Sequence, residues 1–123
     1  MKESIIPPVN FAAERRKQAR LDKLGTNTPR CVLCGEDDYR CLEAHHIAGW
    51  PYDPATMIFC RNCHRKLSDA QKDHPKQKST PPTREEVIGR FLLGIADIFE
   101  LLIGKFREFA NWLLGDDPEL ASE

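Results

Sequence analysis

Four cysteines in two pairs open the chemical reading of this 123-residue chain: Cys31-Val32-Leu33-Cys34 and Cys60-Arg61-Asn62-Cys63, with 25 residues between the pairs. Two residues between thiolates let both sulfurs of a tight turn face one ion, and two such turns complete a tetrahedral site for structural Zn²⁺. A redox-active CxxC needs only one pair, in a thioredoxin-like context that is not evident here. Five cysteines are an odd count for a disulfide framework, and paired CxxC motifs in a reducing compartment read as metal ligands. The N-terminus, MKESIIPPVN, has no long apolar run, so no secretory signal is supported and a cytoplasmic location is predicted. Cys41 is then a spare, expected to be a small buried apolar side chain.

A zinc cage explains the cysteines but not what lies among them. Glu43-Ala44-His45-His46-Ile47 precedes the second pair, and His64 follows Cys63 directly. Neutral imidazole can accept a proton from water near pH 7, and it can also bind a metal. Neighbouring residues on a strand point to opposite faces, so two chemically active histidines in succession suit a strand end or a bend. The Gly49–Pro54 loop begins shortly after the pair. The bland alternative makes His45 and His46 strand residues of an inactive zinc module, with His64 capping the knuckle helix and His74 on the surface. Trp50 and Tyr52 follow in the loop, where they could stack on a base or, by the simpler reading, cover the core.

Taken together, Cys31–Cys34, then "EAHHI", then "CRNCHRKLSD" resembles the HNH endonucleases, in the subclass with a CxxC zinc knuckle on either side of the active site. The resemblance covers about residues 28–74. It implies a ββα-metal fold, two antiparallel strands and a helix around a divalent ion, with His45 and His64 as ligands of that ion and His46 as general base. It also implies hydrolysis of phosphodiester bonds, usually of DNA, with the ion clamping a phosphate oxygen and stabilising the leaving 3′ oxygen. The chain departs from the family pattern where an Asn that braces the base-bearing loop is replaced by Ala55, with Thr56 beside it. Some relatives also place a His where this chain has Ser68. Two histidine ligands would leave the ion several waters, which suits Mg²⁺ or a similar divalent cation. The alternative to a nuclease is a non-catalytic zinc module that binds nucleic acid or a protein partner.

The elements that must position these residues form a small α+β chain. Strands are predicted around Cys31–Leu33 and Arg40–His46, and a helix from near Cys63 through Ala70. Good helix formers run from Phe11 to Leu24 and Gly25 is a natural stop. Charge is segregated: residues 1–30 carry seven Lys/Arg against three Asp/Glu, and residues 83–123 carry four against nine. The basic helix, through Arg15, Arg16 and Arg20, joins Arg61, Arg65 and Lys66 as candidates for phosphate contact, the simpler reading of the helix being a solvated face. Residues 1–27 form an arm and this helix, 28–74 the zinc core, 75–82 (PKQKSTPP) a linker. Residues 83–123 form an amphipathic helix, opened by Thr83-Arg84-Glu85-Glu86 in capping-box spacing and ending near Leu114, followed by an acidic tail. Its apolar side, including Phe91, Ile95 and Ile98, is broader than a surface helix needs. That breadth suits packing over the zinc module, or a homo-oligomer or protein partner docking on residues 84–114. Asp97 and Glu100 interrupt it too soon for a membrane span.

Overall fold

The computed structural model describes residues 8–115, so the first seven residues of the arm and the acidic tail lie outside the described part. Helix α1 (Phe11–Leu24) is capped by Asn10, whose side-chain oxygen accepts from the Ala13 N–H at 3.0 Å, and stops at Gly25 in the left-handed region (φ +78°). Strands β1 (Leu42–His46) and β2 (Thr56–Cys60) pair antiparallel, with Leu42 opposite Cys60 and His46 opposite Thr56. Helix α2 (Arg61–Gln71) follows β2 without a loop, and helix α3 (Arg84–Leu113) is the last described element. Among the described residues the architecture is a small α+β fold of three helices and one two-stranded sheet.

The strand predicted at Cys31–Leu33 is replaced by a turn. The Cys31 N–H donates to Glu36 O at 2.9 Å, and the Gly35 N–H donates to Cys31 O at 3.0 Å, with Gly35 at φ +78°. Residues three apart on a strand would point their sulfurs to opposite faces; the turn points both to one side. β1 also starts at Leu42 rather than Arg40, because Asp38 caps a 3₁₀ turn over Tyr39–Cys41, accepting from the Arg40 N–H at 3.0 Å. The second helix begins at Arg61, two residues before the predicted start.

Leu42, Ile47, Phe59, Leu67 and Ile98 form the core with Cys31, Cys60 and Cys63, and Phe91, Ile95 and Leu101 pack on its edge. α3 thus contributes to the core itself. Its close approach depends on Gly94: a Cβ there would lie 1.8 Å from the carbonyl oxygen of Ile47. The core is small, and the four clustered cysteines at its edge are placed where a metal clasp would add to burial. Arg20 ties α1 to the sheet by donating to the carbonyls of Tyr39, Arg40 and Leu42 at 3.3–3.4 Å. Segment 75–82 is also held, Tyr52 Oη donating to Gln77 Oε1 at 3.0 Å and Ser79 bonding Glu86.

Candidate metal centre and adjoining histidine cleft

The sulfur ligands come from three local structures: the 31–35 turn, the end of β2 and the first turn of α2. The four Sγ atoms of Cys31, Cys34, Cys60 and Cys63 lie within 4.8 Å of one another. Sulfurs at 2.3 Å from a tetrahedral Zn²⁺ stand about 3.8 Å apart, so these residues fit the ion. Cys60 has a second task, since its Sγ accepts from the Cys63 N–H at 3.4 Å as the N-cap of α2. The positive end of the helix therefore adjoins the thiolates. Burial raises the Cys63 and Cys34 thiols, and neighbouring thiols add to this. Burial also opposes ionisation of Cys31, but hydrogen bonds from the backbone of Cys60, Cys34 and Leu33 outweigh it and bring that thiol down to about 7. A cation resolves the conflict by stabilising all four as thiolates. Among the described residues, these cysteines are the group of three or more potential ligands poised around one point.

The clasp joins β2 and α2 to the first knuckle, and the histidines lie beside it. His45 is buried (2% exposed), its ring 5.2 Å from that of His64 and 5.7 Å from that of Phe59, both edge to face. Burial, with the adjacent His64 and His46, lowers its pKa to about 4, against a smaller opposing pull from Asp97. His64 Nδ1 sits 2.7 Å from Glu43 Oε2. With Nδ1–H donating to that carboxylate, Nε2 keeps its lone pair, the arrangement in which a second-layer carboxylate orients a metal-binding imidazole. His46 does not join the pair. Alternation along β1 turns it to the other side of the strand from His45, and it stands half-buried with its ring 5.4 Å from Trp50.

A cleft of about 920 Å³ runs past the cage, with Glu43, Arg61, His64, Arg65, Ser68 and Asp69 in its wall. Cys41 also lines it and is only half-buried, so the spare cysteine is not the enclosed side chain predicted. The cleft mixes both signs of charge, and Arg61 Nε is 3.5 Å from Glu43 Oε1. Arg65 and Lys66 are exposed, as are Arg15 and Arg16 on α1. Arg20 is engaged with backbone carbonyls and serves the fold.

Three residues of the site were not foreseen. Glu43 pairs with His64; Gln71 binds the backbone of the His46 segment; Asp97 holds His74. Gln71 Nε2 donates to the His46 carbonyl at 3.0 Å and lies 3.4 Å from His45 Nε2, while Thr56 only faces His46 across the strands. His74, predicted at the surface, has a side chain 9% exposed, with Nε2 2.7 Å from Asp97 Oδ2. Trp50 is 76% exposed and so does not cover the core, whereas Tyr52 lies under the Arg90 guanidinium at 4.3 Å from its ring centre.

No family model, curated protein or solved structure matches the chain. No helix among the described residues is long and apolar enough to cross a membrane.

Proposed function

We propose that the protein is a small metal-dependent nuclease of the HNH type that hydrolyses phosphodiester bonds of DNA. The observation that carries this reading is the 5.2 Å approach of the His45 and His64 rings, with Glu43 orienting His64 from behind. His45 and His64 would hold a divalent cation such as Mg²⁺, which would supply Lewis-acid charge for phosphodiester hydrolysis. His46, half-exposed beside Trp50, is the candidate to take the proton of the attacking water, although it faces the opposite side of β1 from His45, a separation that counts for the rival reading. Gln71 fixes the backbone that carries it. Arg65 in the cleft wall, Arg61, Lys66, and Arg15 and Arg16 on α1 meet the phosphate backbone.

The rival reading is a non-catalytic zinc module that binds nucleic acid or a protein. It draws on the depth of His45, which does not line the cleft, and on the amide of Gln71 beside its Nε2. Zinc-loaded protein incubated with supercoiled plasmid and Mg²⁺ or Mn²⁺ separates the two. The nuclease reading expects cleavage, reduced at least about 100-fold by His46→Ala, the low end for loss of a general base. Glu43→Ala is expected to reduce it about 10–100-fold, as for other ligand-orienting carboxylates. Cleavage undiminished in His46→Ala removes that residue as the base. Salt-dependent DNA binding without cleavage under either metal selects the zinc module.

A further inference from the structure

α3 carries a second apolar seam that its own fold leaves uncovered. Ile88, Ile95, Leu102 and Phe109 recur every seven residues, and so do Leu92, Phe99, Phe106 and Leu113, interleaved at spacings of four and three. That is the 3.5-residue repeat of a coiled-coil seam, sustained over nearly four heptads. The face that packs on the core, centred on Gly94 and Ile98, lies beside the seam and shares only the half-buried Ile95 with it. Along the seam, Leu92 is 61% exposed, Phe106 and Phe109 are 63%, and Leu113 is 75%. Aromatic side chains bury about 150–250 Å² each, so the exposed parts of the seam amount to roughly 700 Å² per chain. A specific interface uses about 800 Å² per partner.

We infer that this seam is covered by α3 of a second copy of the chain, in an antiparallel pair related by a two-fold axis. The pattern is self-complementary in that direction. With the axis between Glu100 and Leu101, Ile88 meets Leu113, Leu92 meets Phe109, Ile95 meets Phe106 and Phe99 meets Leu102, each contact occurring twice. Every phenylalanine of the seam then faces a smaller aliphatic side chain, the large-to-small matching that fills an interface without voids. A parallel pair would set each phenylalanine against its own copy and crowd three such layers into one half of the helix. Gly89, Ala96 and Ala110, seven or fourteen apart along one flank, let the two backbones approach closely. The charges nearby, Glu100, Lys105, Arg107 and Glu108, are of both signs and lack the basic rim of a helix that lies on lipid. Pairing through α3 does not depend on the nuclease chemistry.

Sedimentation equilibrium of the zinc-loaded full chain reads the pairing directly. The wild type is expected at twice the mass of one chain across the micromolar range. Leu92→Lys and Phe109→Glu, each at an exposed position, are each expected to weaken the dimer at least tenfold with helix content unchanged by circular dichroism. Combined in one chain they are expected to restore it, because residue 92 of one copy faces residue 109 of the other; in a parallel pair the same change sets Lys against Lys. A monomeric wild type, or a double variant that stays monomeric, overturns the inference. So does a wild-type monomer that floats with phosphatidylcholine–phosphatidylglycerol vesicles, which would give the seam to a lipid surface.

Discussion

The two halves of the molecule solve the problem of small size in opposite ways. From Cys31 to Gln71 the core is small, and the four clustered cysteines could hold one metal ion where a turn, a strand and a helix meet. α3 has apolar surface to spare: it buries Gly94 and Ile98 and leaves Leu92, Phe99, Phe106 and Leu113 in the open. One region sets a cysteine cluster that could take a metal beside its small core and has little apolar surface to spare. The other has more than the chain can use. Stability and surface are therefore separable here, and each half is open to its own perturbation.

The largest effect is expected on the metal side. Structural zinc contributes about 10–16 kcal/mol in small metal-folded peptides, so strong chelation or Cys60→Ser should erase amide protection in β1, β2 and α2. Cys60 is the severest choice because its sulfur caps α2 as well as belonging to the cysteine cluster. A chelated protein that melts at the temperature of the metal-loaded form would show that the cysteines do not clasp the fold. Next comes the joint between the halves. Gly94→Ala would drive a Cβ into the Ile47 carbonyl and should cost about 3 kcal/mol, the upper range for overpacking. Cobalt substituted for zinc should keep its thiolate absorption in that variant, since α3 loosens while the cage persists. Loss of the cobalt spectrum would mean that the two halves fold as one unit.

A smaller effect, visible only with pH, belongs to His45, buried between sheet and α2. Its pKa of about 4 in the fold lies below the ordinary 6.5, so the unfolded chain takes up the proton first as pH falls. Its contribution is fully present well above pH 6.5 and declines towards pH 4, by roughly 1.5 kcal/mol between pH 6.5 and pH 5. Denaturant titrations of wild type and His45→Gln over that interval should differ by this amount. Equal slopes would show that His45 is not held neutral by burial.

Local signals told most of the helical story before any coordinates. Phe11–Leu24 with its glycine stop and the Thr83 cap needed only neighbouring residues to be recognised, as did the CxxC spacing. What escaped the sequence was made by contacts across long separations. Glu43 finds His64 21 residues away, Gln71 reaches back 25 residues to the His46 carbonyl, and His74 meets Asp97 on a helix that starts beyond the next loop. The knuckle at Cys31 misled for another reason: β-prone residues there are bent by the demand that two sulfurs point the same way. Trp50 reads as core by its type, yet stands in solvent on the loop after β1.

Gly94 also acts as a detent for the long helix. A helix of 30 residues resting on a small core could slide by a turn at modest cost, since leucine and isoleucine recur along its length. One turn back brings Arg90 opposite Ile47, and one turn forward brings Ile98. Both carry side chains where there is no room for a single carbon. The notch therefore admits one setting of α3, and that setting decides which residues of the outer seam stand where a neighbouring molecule can grip them.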